Sequence, residues 1–145
     1  MPANHQHLIA ACLAMVLLSV VVGLVLLRNR VREMRRKRLD PRQIANSTQM
    51  AARLEDIQAA DNFRNLFEVP VLFYALAAIA LATRYVPPWL VACAWSFVAL
   101  RIIHSLIQCT CNKVFHRLAV FLTSFALLIG MWLAFAVTLA DRTPA

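Results

Sequence analysis

Residues 61–70 read DNFRNLFEVP and place charged and amide side chains at the start of a long apolar segment. On a helix, which turns by about 100° per residue, Asp61, Arg64, Asn65 and Glu68 share one face. Ionisable groups within a membrane-spanning helix are costly, and they almost always face a bundle interior or a wet cavity. The stretch therefore predicts either the polar wall of a site or an ion-pair network that only fixes helix packing.

The composition of the 145-residue chain is typical of a membrane protein rather than a soluble one. Hydrophobic residues make up 61% of the sequence, only two residues are glycine, and the mean hydropathy is +0.66. The net charge is +8, and basic residues are concentrated between Arg28 and Arg42. A basic block can bind nucleic acid, but between two apolar segments it more simply predicts a cytoplasmic loop. We therefore expect no nucleic-acid partner.

Four apolar segments predict four transmembrane helices in a single domain, residues 1–145. The expected spans are residues 8–27, 49–83 with a cytoplasmic extension, 88–110 and 114–139, and a basic cytoplasmic loop is expected at 28–48. The first of them would cross about 30 Å of hydrocarbon at 1.5 Å per residue. The predicted fold class is an all-α integral membrane protein, a four-transmembrane-helix bundle.

The distribution of charge predicts the orientation of this bundle. Eleven of the fifteen Lys and Arg residues fall in the two loops on one side or in the helix ends next to them, and this should be the cytoplasmic side, so both termini are expected outside. The short termini and the lack of an endoplasmic-reticulum signal favour a bacterial inner membrane.

A second polar face is predicted in the third span. Arg101, His104 and Gln108 recur at i, i+3 and i+7, in the half of the span nearest the basic loops. Arg101 should lie at a depth similar to that of Glu68, and an ion pair between them would offset the cost of burying both charges. For His104, hydrogen bonding within the core and a role in a site are both left open.

The four cysteines predict neither a disulfide framework nor a metal site. Cys109 and Cys111 give only a weak zinc signal, because no second pair completes it. We interpret the cysteines as small buried hydrophobic residues.

These features together resemble the MAPEG family, the membrane-associated proteins in eicosanoid and glutathione metabolism. The resemblance is carried by four spans, a basic segment after the first, Arg64-Asn65-x-x-Glu68 opening the second and Arg101-x-x-His104 in the third. It covers nearly the whole chain. It implies a left-handed four-helix protomer in a homotrimer, with glutathione bound between neighbouring protomers in the cytoplasmic half.

The same resemblance implies a set of site residues. Carried over by motif, the glutathione contacts are Arg28, Arg64, Asn65, Glu68, Arg101, His104 and Gln108. Arg117, at the start of the fourth helix, is implied as the catalytic residue beside the thiol. Glutathione has two carboxylates and one ammonium group, which suit arginine and glutamate partners respectively. Gln108 stands where the family has a tyrosine near the thiol, so thiol activation is less well supported than cofactor binding.

The leading hypothesis is a glutathione-dependent membrane enzyme, a transferase or peroxidase, acting on lipophilic electrophiles that enter from the lipid bilayer. Gln108 in place of the family's tyrosine favours an alternative, a non-catalytic relative that binds lipid or a partner membrane protein. A third interpretation is a purely structural bundle whose ionisable groups pair only with one another.

Overall fold

The computed structural model describes residues 1–38, 58–110 and 113–141. These residues form four helices, which are α1 (Ala3–Lys37), α2 (Gln58–Ala82), α3 (Pro88–Cys109) and α4 (Val114–Ala140). All four are long and apolar enough to cross a membrane. The predicted all-α, four-helix membrane bundle is therefore confirmed, and the chain is an integral membrane protein.

The helices pack as an antiparallel bundle in which α1 contacts both α2 and α3, and α3 runs along α4. At one end, Asn4 Nδ2 donates a 3.0 Å hydrogen bond to the carbonyl of Val86, which ties the start of α1 to the turn between α2 and α3. The other end contains the last turns of α1 and α3 and the first turns of α2 and α4. We call it the basic end, since Arg32, Arg36 and Arg117 lie there.

The turn between α2 and α3 is short because local chemistry ends one helix and starts the next. Arg84 adopts a left-handed conformation with φ of 55°, and the amide of Tyr85 donates to the carbonyl of Ala80 at 3.0 Å. Pro87 is extended, and Pro88 occupies the first position of α3, where its missing N–H costs no helical hydrogen bond.

The first helix is longer than the sequence predicted. Residues 28–37, which we expected to open a cytoplasmic loop, continue α1 beyond the apolar segment. Arginine, lysine and glutamate are good helix formers, and Glu33 pairs with Lys37 one turn later at 2.8 Å. Basic residues in the last turn also interact favourably with the helix dipole. The rest of the predicted loop and the expected start of the second helix lie outside the described residues.

The interior is formed by one apolar cluster, while much of the outer surface is also apolar. Phe73 and Phe97 are fully buried, and their rings stack with centroids 5.0 Å apart between α2 and α3. On the outside, leucines such as Leu17 and Leu133 are each 64% exposed. A surface of this kind suits hydrocarbon rather than water.

Candidate functional site

Four of the polar residues of the second helix lie on the outer side of the protomer. Asp61, Arg64 and Glu68 are exposed, and Asn65 is partly buried beside them. We call these four residues the α2 stripe. Glu68 lies ten residues after Gln58, the first described residue of α2, which is about 15 Å along the helix axis. Because ionisable groups that face lipid are costly, a covering protein surface or a polar ligand would stabilise the α2 stripe.

The polar residues of the third helix face inward instead. Arg101 is 0% exposed, His104 2% and Gln108 1%, and we call these three the buried α3 face. A ligand at the protomer surface therefore reaches none of them directly. Within one protomer, the α2 stripe and the buried α3 face therefore do not line the same surface.

Arg101 binds the main chain of α2. Its Nη2 donates a 2.7 Å hydrogen bond to the carbonyl of Asn65. The guanidinium also lies 6.0 Å from the ring centroid of Phe97 and 5.5 Å from that of Phe121, at the distance of cation–π contacts. Within the described segments, its Nε and Nη1 have no hydrogen-bond partner. The charge is thus held by one carbonyl and two aromatic rings.

His104 binds the main chain of α4. Its Nδ1 lies 3.2 Å from the carbonyl oxygen of Arg117, and since a carbonyl can only accept, Nδ1 is the donor of this hydrogen bond. The imidazole packs against Phe121 with centroids 5.7 Å apart, and the Gln108 side chain lies next to it. His104 thereby connects the end of α3 to the first turn of α4.

The ion pair that we expected between Glu68 and Arg101 does not form within the protomer. Among residues 58–110 no ion pair joins them, because Glu68 lies on the outer side of α2, whereas Arg101 of α3 lies on the inner side. Glu68 faces outward, whereas α2 presents to Arg101 only the carbonyl of Asn65. Similar depth in the membrane does not by itself predict an ion pair, since pairing also depends on the rotation of α2 about its axis.

The two remaining predicted residues lie at the basic end. Arg117 is partly exposed in the first turn of α4, and its carbonyl accepts the hydrogen bond from His104. Arg28 is exposed on α1, where it lines a shallow groove with Leu24 and Val31. The structure therefore brings Asn65, Arg101, His104 and Arg117 into one connected set, to which Arg28 does not contribute a described contact.

Sequence reasoning missed a polar cavity at the basic end. Its volume is about 520 Å³, and it is lined by Asn29, Arg32, Glu33, Arg36, Gln58, Ala59 and Cys109. It lies between α1 and the ends of α2 and α3, and the prediction of a loop from residue 28 concealed it. A helical reading of residues 28–37 would have placed four of its lining residues on one face, at i, i+3, i+4 and i+7.

Asn62 was also missed, although it lies in the motif that begins the second span. It is 0% exposed and connects α2 to α3. Its Oδ1 accepts a 3.2 Å hydrogen bond from Ser105 Oγ, and its Nδ2 donates to Cys109 Sγ at 3.3 Å. An amide one residue after the exposed Asp61 was a signal that the inner side of α2 is polar too.

The fold and these contacts define a class of protein, a four-span integral membrane bundle with ionisable residues within its helices at one end. A model of the MAPEG family matches residues 8–137, so the chain belongs to the MAPEG family. No curated protein and no solved structure matches the chain.

Proposed function

We propose that the protein is a glutathione-dependent membrane enzyme, a transferase or peroxidase, that acts on lipophilic electrophiles. The observation that carries this proposal is the α2 stripe, whose Arg64 and Glu68 are exposed within a membrane-spanning helix. Membership of a family that is generally associated with glutathione supplies the class of ligand. The basic end would face the cytoplasm, as the positive-inside rule predicts.

The chemistry of the α2 stripe fits glutathione. The ligand carries two carboxylates and one ammonium group, together with two peptide bonds. Arg64 suits bidentate binding of a carboxylate, and Glu68 suits the ammonium group. The Asn65 side chain supplies an amide that donates and accepts. Opposite charges one turn apart on the same face match a zwitterionic ligand better than a simple anion.

The exposure of the α2 stripe also favours assembly, and we propose a homotrimer with glutathione between neighbouring protomers. A lone protomer would present Asp61, Arg64 and Glu68 to lipid, which is energetically costly. A second copy of the chain would cover the stripe and enclose the ligand in a site of low dielectric, where its charge-assisted bonds are stronger. Arg28 on the outer side of α1 would be available to a ligand held by a neighbour.

When bound, glutathione supplies a thiol that displaces a leaving group from an electrophile, or that reduces a hydroperoxide to an alcohol and water as two glutathiones become one disulfide. The chain's part is to bind its charged groups, exclude water and favour the thiolate. Arg117 is the residue that we assign to the thiolate, since it is a partly exposed arginine at the same end of the bundle as the stripe. The lipophilic partner would enter from the hydrocarbon.

Replacing Arg117 by alanine is expected to lower the ultraviolet absorbance of bound glutathione thiolate, because a positive charge near sulfur favours the deprotonated form. Turnover of an aryl halide and of a lipid hydroperoxide should fall about tenfold or more, while glutathione binding falls less. The main-chain carbonyl that His104 binds is retained in this variant. Unchanged thiolate absorbance with glutathione bound would remove Arg117 from this role.

A second function, that of a non-catalytic relative, is favoured by Gln108, which replaces the family's tyrosine. The chain has two tyrosines, Tyr74 and Tyr85, and Tyr85 belongs to the turn opposite the basic end. Gln108, which stands where the family has a tyrosine, is 1% exposed. A non-catalytic relative that binds lipid or a partner membrane protein would need no hydroxyl group there. Glutathione binding without turnover of either substrate class would favour this alternative.

A further inference from the structure

Two buried side chains of α3 end on the main chain of the neighbouring helices. Arg101 Nη2 donates to the carbonyl of Asn65 in α2, and His104 Nδ1 donates to that of Arg117 in α4. Their exposed fractions are 0% and 2%. Each accepting carbonyl belongs to a residue of the proposed site. One turn of α3 thus holds the two segments that carry the proposed ligand contacts.

The bond to Asn65 lies next to an interruption in the main-chain hydrogen bonding of α2. Pro70 has no N–H, so the carbonyl of Leu66 loses its partner from the next turn, and the ring crowds the carbonyls before it. On the far side of Pro70, Trp132 Nε1 of α4 donates to the carbonyl of Leu72 at 3.2 Å. An external anchor therefore lies on each side of the proline, and Arg101 provides the one next to the α2 stripe.

The cost of burying Arg101 indicates that this anchor is specific. A buried guanidinium is expensive unless it is well bonded, and here it binds one carbonyl between two phenylalanine rings. An apolar side chain would pack between the rings at lower cost. An apolar side chain would not fix the position of the Asn65 carbonyl. The positions of Arg64 and Glu68 along the bundle axis, relative to α4, would then no longer be fixed either.

We propose that Arg101 and His104 are positioning residues, which set the separation between the α2 stripe and Arg117 through these two main-chain hydrogen bonds. The consequence for glutathione rests on the proposed function. The geometric consequence does not, because it concerns the distance between α2 and α4 in the protein without ligand.

The geometric part is tested by measuring a distance between two spin labels introduced as noncanonical amino acids at Phe67 in α2 and Phe115 in α4, which are 57% and 87% exposed. Labelled chains are diluted with unlabelled ones so that only distances within a protomer are recorded. We expect Arg101→Met to shift or broaden the distribution and Arg101→Lys to restore it, since an ammonium group can still donate to the carbonyl. A control pair at Leu13 and Trp95 should not change.

The binding part compares glutathione with γ-glutamylcysteine and with the glycine ethyl ester of glutathione. A positioning residue should weaken all three by the same factor, about tenfold for Arg101→Met, because it touches no single ligand group. A residue that binds the glycine carboxylate would show no loss for the ethyl ester, in which that carboxylate is replaced by a neutral group. His104→Asn, which keeps a donor near the Nδ1 position, should bind more tightly than His104→Phe.

Two results would overturn the proposal. The first is an unchanged label distance in Arg101→Met. The second is a loss of affinity in Arg101→Met that disappears for one of the three ligands, which would show that Arg101 contacts the ligand directly. If wild-type protein binds no glutathione, the proposed function fails, and the label distances still decide whether Arg101 positions α2.

Discussion

Replacing Arg64 by methionine is expected to weaken glutathione binding about 100-fold, because a charge-assisted hydrogen bond to a carboxylate contributes about 2–3 kcal/mol. Arg64 is exposed on the outer face of α2, so its guanidinium is available to a ligand. Methionine retains the unbranched stem and a high helix propensity, and α2 should remain folded. Isothermal titration of the variant in lipid nanodiscs measures the loss.

The matched control for this prediction is Arg84→Met. It removes the same charge from an exposed arginine in the turn between α2 and α3, at the end of the bundle opposite the α2 stripe. We expect its affinity for glutathione to stay within about twofold of wild type, since screening leaves little interaction over such a separation. Equal losses in the two variants would show that net charge, rather than Arg64 itself, governs binding.

Phe73→Ala is expected to lower the free energy of unfolding by about 3 kcal/mol. Phe73 is 0% exposed and stacks on Phe97 with ring centroids 5.0 Å apart. Removing a buried phenylalanine usually costs about 3–5 kcal/mol. We expect the lower end of that range, because a denatured chain that stays in lipid keeps its apolar side chains out of water, so the loss is mainly one of packing.

The control for Phe73 is Phe115→Ala. Phe115 is 87% exposed in the first turn of α4, and its truncation should change the free energy of unfolding by less than about 0.5 kcal/mol. Titration with a denaturing detergent, followed by loss of helical circular dichroism, measures both variants. Similar destabilisation by the two substitutions would contradict the packing of α2 against α3 described above.

The fold was predictable because the apolar segments are long and the polar ones short. Pro88 at the start of α3 and the short turn before it were readable from local chemistry alone. The conformation of residues 28–37 was not, because the positive-inside rule assigns a segment to one side of the membrane and does not indicate its secondary structure. Helix propensity and the Glu33–Lys37 pair carried that information instead.

The division of the candidate site was not predictable from periodicity. Helical spacing correctly grouped Arg64 with Glu68, and Arg101 with His104, on one face of each helix. It could not tell which face turns inward, because both helices also have apolar faces that suit either lipid or core. Packing of α3 against α2 and α4 decides the rotation, and it buries Arg101 while leaving Glu68 exposed.

The measurement that tests the central claim most directly is isothermal titration of glutathione into the wild-type protein in lipid nanodiscs. The account predicts saturable binding with one glutathione per chain, and loss of most of that binding in Glu68→Gln, which keeps the size of the side chain and removes the charge that suits the ammonium group. Absence of binding by well-folded wild-type protein, or full affinity in Glu68→Gln, would contradict a glutathione site on the α2 stripe.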